Sequence, residues 1–253
     1  MTVSASLPRP GWSRPQGLRV ELESNGALRT LALGDVVVNL FVGNALEGGP
    51  ANLLLRRHGA TPASTRLLGP SSPTRWNAEP EAGRFDGVGE WNGLAYRVAL
   101  RLASDAPAWF WHVQVRNLSE VDAEFDLTLW QDLALADYGA IRLNEYYVSQ
   151  YLDHAPLEHP ARGVTVATRQ NQAVGGRFPW SIQGSLDRAV AYATDALQVH
   201  GRDARAGRPD GARDLPSVRL QHEHAMVALQ DRRHTLAPGA SVELGFFGRV
   251  LAD

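Results

Sequence analysis

Between Asn144 and Asn171 the chain gathers Tyr146, Tyr147 and Tyr151 with Asn144, Gln150, Asp153, His154, Arg169 and Asn171. Flat rings set among planar amides, a carboxylate and a guanidinium match a pyranose. Such a sugar presents an apolar C–H face to an aromatic ring and hydroxyls to planar donors and acceptors. The same residue types suit a half-buried strand rim whose tyrosine hydroxyls are satisfied, because ligand sites and sandwich rims share this composition. On residue type alone both readings stand.

The elements that must position these groups read as strands. From Gly17 onward the dominant pattern is period-two alternation. Trp109, Trp111, Val113 and Val115 fall on one face of a strand, with His112, Gln114 and Arg116 on the other. Asn117-Leu-Ser-Glu makes a turn, and Phe125, Leu127 and Leu129 line one face of a return strand, so the pair is expected to form an antiparallel hairpin. Further strands are expected at 18–22, 36–42, 96–102, 164–168, 189–193, 225–229 and 242–247. Ser24-Asn25-Gly26, Glu47-Gly48-Gly49-Pro50, Gly69-Pro70, Gly175-Gly176 and Pro238-Gly239 supply the turns between them. No helix and no internal repeat is expected. Many strands at short spacing, with 24 glycines and 15 prolines, argue for an all-β sandwich over alternating βαβ units. Residues 1–16 read as a flexible leader and 17–253 as one domain, with 201–217 an exposed, mobile loop.

Bulk properties exclude several classes. A net charge of −2 gives no electrostatic reason to expect nucleic acid or an anionic membrane as partner. All 25 basic residues are arginine, which rules out a Schiff-base or P-loop lysine. With no cysteine there is no disulfide, thiolate nucleophile or cysteine-held metal. The N-terminal residues have no apolar core of a signal peptide, and no run reaches the length of a membrane span. A cytoplasmic protein without cofactor is the expectation.

Several segments occur in an order that resembles a known family. They are Leu46-Glu-Gly-Gly-Pro-Ala-Asn-Leu-Leu-Leu-Arg-Arg, Leu68-Gly-Pro, the Asn144–Asn171 block and Ala191-Tyr-Ala-Thr-Asp-Ala-Leu-Gln-Val-His-Gly. Leu220-Gln-His-Glu-His-Ala-Met-Val-Ala-Leu-Gln and Leu236-Ala-Pro-Gly-Ala-Ser-Val-Glu-Leu-Gly-Phe-Phe-Gly complete the set. The set resembles the N-terminal region of the inverting β-glucoside phosphorylases, the group of cellobiose phosphorylase and cyclic β-1,2-glucan synthase, and within it the 1,2-β-oligoglucan phosphorylase branch. The resemblance implies a large two-sheet antiparallel super-sandwich, galactose-mutarotase-like. In that group an (α/α)₆ catalytic barrel follows, so the general acid is expected beyond Asp253 and no catalytic residue is assigned here. The resemblance further implies a β-gluco-oligosaccharide as ligand and the barrel, or another protomer, as partner. Carried onto this chain, Tyr147 and Tyr151 stack on sugar rings, while Gln150, Asp153, His154, Arg169 and Asn171 bind hydroxyls.

The same residue types fit other chemistries. Asp153 and Glu158 could pair across a sugar as in a glycosidase, or could be loop acids held by Arg162 or Arg169. His154 and His159 with those acids, or His222-Glu223-His224, lack the spacing of an established zinc motif, and no metal is expected. A free-standing mutarotase-like epimerase would need a histidine acid and a carboxylate base, for which His112, His154 or His200 with Asp153 or Glu223 could serve. A structural interface, with the aromatics docking on protein, is the remaining alternative.

Overall fold

The computed structural model describes residues 11–13, 17–79, 83–201, 213–221 and 224–253. Strands β1 (Gly11–Ser13), β2 (Leu18–Leu22), β3 (Leu28–Leu33) and β4 (Val36–Val37) form a four-stranded sheet in chain order. A fourteen-stranded sheet holds the rest. These are β5 (Asn52–Arg57), β6 (Ala63–Arg66), β7 (Arg75–Glu79), β8 (Arg84–Trp91), β9 (Leu94–Leu102), β10 (Ala108–Asn117) and β11 (Ala123–Asp132). β12 (Leu152–His159), β13 (Gly163–Gln170), β14 (Trp180–Ser185), β15 (Ala189–Asp195), β16 (Ala225–Asp231), β17 (His234–Leu236) and β18 (Ser241–Leu251) follow. The order is β6-β5-β11-β16-β15-β13-β14-β18-β10-β9-β8-β7, with β12 beside β13 and β17 beside β11.

The large sheet curls, and one apolar cluster takes side chains from both of its halves. Leu53, Leu55, Leu127, Leu129, Val227 and Leu229 meet Val98, Leu100, Trp109, Trp111, Val113 and Phe246, and the small sheet adds Leu18, Val20 and Leu31. This is the all-β, two-layered class expected from sequence. All strand pairs are antiparallel apart from a single Gly163↔Ala189 parallel contact of β13 with β15. Where two strands of facing pairs come close, glycine makes the room. A Cβ on Gly248 would lie 2.1 Å from the ring of Trp109, its cross-strand partner.

Three expectations fail. β10 and β11 are not a hairpin: β10 pairs with β9 and β18, whereas β11 pairs with β5, β16 and β17. Asn117 turns the chain from one half of the sheet to the other. Its amide donates to the carbonyls of Val121 at 2.7 Å and Leu236 at 2.9 Å, and its carbonyl oxygen accepts from the Ser119 backbone and hydroxyl. The alternation gave the faces correctly, with Trp109, Trp111, Val113 and Val115 buried and His112, Gln114 and Arg116 exposed. Alternation says nothing about which strand lies alongside. Helices are also present: α1 (Tyr138–Leu143), α2 (Glu145–Gln150) and α3 (Ala196–His200). Each has five or six residues, too short to display a 3.6-residue period. The strand expected at 36–42 shrinks to Val36–Val37, after which Asn39 bonds the backbone of Arg29, Leu31 and Phe41 in place of a ladder.

Candidate functional site

The Asn144–His154 segment is a short helix followed by the start of a strand. Asn144 caps α2 by accepting from the Tyr147 N–H at 3.0 Å, and Glu145 sits favourably in the first turn. Val148 and Ser149 face inward, where the Ser149 hydroxyl oxygen accepts from Ala225 N–H at 2.6 Å. The outward side of the helix then presents Tyr146, Tyr147 and Gln150. Four residues on from Tyr147, Tyr151 places its ring 4.9 Å away at 62°, and its hydroxyl donates to that of Tyr147 at 3.0 Å. The shared hydrogen bond holds the Tyr151 phenol above its ordinary range.

Cross-strand register fixes the neighbours. Asp153 of β12 opposes Arg169 of β13, which opposes Trp180 of β14, so the three share one face. The Arg169 guanidinium lies over Phe178 and Trp180, 5.0 and 5.5 Å from the ring centroids. Asp153 pairs with Arg219 rather than with Arg162 or Arg169, and Arg219 also reaches Gln221 at 3.3 Å. Asn171 is exposed, and its N–H donates to the Tyr151 carbonyl at 2.9 Å. Tyr147, Gln150, Tyr151, Asp153, Arg169 and Asn171 therefore all reach the surface around the α2–β12 junction. His154 points the other way. It is 2% exposed, bonds Thr168 Oγ1 at 2.9 Å through Nδ1, and burial pushes its imidazole down to about 4. Glu158 is exposed on β12, and His159 accepts from the N–H groups of Ala161 and Arg162 as a turn cap.

A second group of residues, which sequence reasoning missed, lies beside this shelf. β5, β11 and β16 are buried on both faces, so their outward side chains do not alternate with polar ones. On the face away from the main core, Leu54, Trp130, Ala193, Val199, Met226 and Ala228 form a smaller cluster under α3. At its margin Arg66 stands 5.5 Å over the Trp130 ring, and His200 packs edge-on against the same ring at 4.8 Å. Asp195 and Gln198 form a capping box that fixes α3, and Gly201, with φ +63°, ends it directly after His200. Burial pushes His200 down to about 4, helped by the charges of Arg66 and His224. His224 in turn lies 6.2 Å from Phe41, stacked, and 5.0 Å from Tyr146, edge-on. Tyr146 thus joins the two groups. Arg66 and Trp130 gave no sequence signal because they come from strands β6 and β11, far apart in the chain. His222 and Glu223, and most of 201–217, lie outside the described residues. His112 is exposed on β10 and stacks on Phe110 at 6.1 Å, remote in register from both groups.

One set has metal-ligating proximity among the described residues: Asp187, Asp231 and His234 offer donor atoms within 4.8 Å of one another. Asp187 is already held by Arg232 at 2.7 Å.

Residues 21–248 match the SOGP N-terminal domain. The chain belongs to that family. The SOGP N-terminal domain described here is 32% identical over 216 residues to the 1,2-beta-oligoglucan phosphorylase of Listeria innocua serovar 6a (strain ATCC BAA-680 / CLIP 11262). That match takes in 83% of this chain and 19% of the relative, so the chain spans about a fifth of the enzyme's length. Solved structures share its fold at low identity. The Polysaccharide Lyase BACCELL_00875 aligns with TM-score 0.57 and 12% identity, covering 97% of this chain and 33% of the lyase. A galactose mutarotase related enzyme from Lactobacillus acidophilus gives 0.54 and 11%, covering 96% and 97%. A putative aldose 1-epimerase from Escherichia coli K12 gives 0.52 and 9%, covering 97% and 99%. The galactose-mutarotase-like architecture implied by the sequence is the architecture found. Among the described residues no helix is long and apolar enough to cross a membrane.

Proposed function

We propose that this chain is the carbohydrate-binding N-terminal domain of a cytoplasmic glycoside phosphorylase acting on β-glucans, with β-1,2-linked gluco-oligosaccharides as substrate. It contributes contacts to the substrate cleft and a packing surface for an (α/α)₆ catalytic barrel or another protomer, and is not catalytic alone. The observation that carries the reading is the Tyr147–Tyr151 pair, two hydroxyl-linked rings at the surface beside Gln150, Arg169 and Asn171. Such a pair offers C–H stacking to one sugar ring and planar hydrogen-bonding groups to the next. Asp153, with its partner Arg219, borders the shelf as a hydroxyl acceptor. His154 is assigned to packing beneath it. An epimerase reading is weaker, since His154 is sealed off at 2% exposure.

The second reading is a protein interface. It is favoured by Tyr138, Leu143, Tyr146 and Tyr147, which are 56%, 88%, 44% and 48% exposed on α1 and α2. Titration with short β-1,2- and β-1,4-gluco-oligosaccharides, followed by heat and tyrosine fluorescence, separates the two. Saturable binding preferring β-1,2 linkage supports the glucan reading. Silence, together with concentration-dependent self-association in sedimentation, supports the interface.

A further inference from the structure

We infer that Asp187, Asp231 and His234 form a binding site for a divalent transition-metal cation of the zinc class. The site uses other residues than the glucan shelf, so either reading can fail while the other holds.

Two turns bring the three side chains together. Asp187 follows β14 in the turn to β15, and Asp231 and His234 flank the turn from β16 to β17. Strand β14 starts at Trp180 on the shelf, and β16 starts at Ala225 beside Ser149 of α2. Both turns therefore lie at the far ends of strands that begin near the shelf. One donor atom from each residue lies within 4.8 Å of the other two.

Ordinary packing accounts for only part of this group. Asp231 is fully buried and uses Oδ1 as a turn cap, accepting from Ser185 Oγ at 3.2 Å and from the N–H groups of Arg188 and Arg232 at 3.1 Å. Its Oδ2 is also buried, with no hydrogen-bond partner among the described residues. His234 is 8% exposed, stacks on Phe125 at 5.7 Å, and its buried Nε2 has no hydrogen-bond partner among them either. That nitrogen stops 3.5 Å from Asp187 Oδ2, beyond the usual N–H···O range. Leaving two such atoms buried and unpaired is costly, and a bound ion is one thing that removes the cost.

The donor set specifies the ion. Two carboxylates balance a double positive charge, and an imidazole nitrogen favours zinc and its neighbours over calcium or magnesium, which seek oxygen alone. Tetrahedral zinc, with ligands about 2.0–2.1 Å away, sets them roughly 3.3–3.4 Å apart. The 3.5 Å spacing of His234 and Asp187 already approaches that edge. Arg232 is the competitor for Asp187. It holds Oδ2 at 2.7 Å and Oδ1 at 3.4 Å, but its side chain is half exposed and free to swing out as a cation enters.

The test is calorimetric titration of chelator-stripped protein, purified without a histidine tag, with zinc chloride. Thermal unfolding is followed in zinc, calcium and magnesium. Zinc should bind at one equivalent per chain and raise the melting temperature, as a ligand of the native state does. Calcium and magnesium should leave it unmoved. His234→Gln and Asp231→Asn should each weaken zinc binding roughly tenfold or more, since even partners outside a metal's ligand set are worth that much. Arg232→Gln should tighten it a few-fold by releasing Asp187, and this exposed position keeps the test open if a buried substitution fails to fold. His112→Gln, on β10, should change nothing. Near-UV circular dichroism checks the fold of each variant. Absence of stoichiometric zinc binding, undiminished binding in folded His234→Gln and Asp231→Asn, or unchanged affinity in Arg232→Gln overturns the site. An equal rise in melting temperature with calcium overturns the class of ion.

Discussion

At the residue scale, one amide and two buried titratable groups decide how the shelf stands. Asn144 touches no proposed ligand, yet it closes the N-terminus of α2 and so sets where Tyr147 begins. Asn144→Ala should cost about 1 kcal/mol of stability by denaturant titration. It should also weaken oligosaccharide binding, whereas Asn144→Ser should restore both. Beneath the shelf, Asp132 accepts from Phe41 N–H at 2.7 Å, and burial pushes its carboxyl up to about 6 from 3.8. A raised acid stabilises the fold below about pH 4 and loses that contribution as pH climbs through 6, on the order of 3 kcal/mol. His154 runs the other way. Its pKa falls from 6.5 to about 4, so its contribution is present above pH 6.5 and drains as pH falls towards 4. Between pH 6.5 and 4 the two oppose each other. Thermal unfolding across that window should therefore show a steeper acid loss in Asp132→Asn than in the parent protein, and a shallower one in His154→Gln. Identical pH slopes in all three would refute both assignments.

At the scale of elements, the sheet half formed by β5, β11 and β16 carries an ion cluster on its outer face. Arg56, 2% exposed, makes a forked contact with the fully buried Asp126, which also meets His58 Nε2 at 2.8 Å and Gln230 at 3.3 Å. Removing one partner strands the other, so Asp126→Ala should destabilise by about 3–5 kcal/mol in urea unfolding. On the opposite half, Gly248→Val should drive its side chain into Trp109 and cost about 1–3 kcal/mol. The sequence made much of this half legible, because Trp109 to Arg116 alternates cleanly and β10 is wet on one side. It hid the strand partners of β10, which the Asn117 corner dictates through contacts made more than a hundred residues away, at Leu236. It hid α2 as well, whose cap at Asn144 and i, i+4 tyrosines are helical signals spread over too few residues to stand out. Arg66, Trp130 and His200 converge only because β6 and α3, distant in the chain, bring the first and last to one face of β11, a face whose continuous burial erases any period.

At the scale of the whole molecule, the chain is a SOGP N-terminal domain, a curled sheet with a polar-aromatic shelf on α2 and β12. The relative from Listeria innocua is about five times as long as the matched stretch, while α1 and α2 of this chain leave Tyr138, Leu143, Tyr146 and Tyr147 exposed. Leu143→Asp should reduce self-association without altering oligosaccharide affinity, if the packing surface and the glucan contacts are distinct; parallel sedimentation and binding measurements check this.

The most direct measurement is the dissociation constant of a short β-1,2-gluco-oligosaccharide for the parent protein, for Tyr151→Ala and for Arg169→Ala. Loss of a stacking ring or of a planar donor should weaken binding roughly tenfold in each variant, with the near-UV spectrum retained. Unchanged affinity in both folded variants, or no binding by the parent protein, would contradict the assignment of this shelf to glucan recognition.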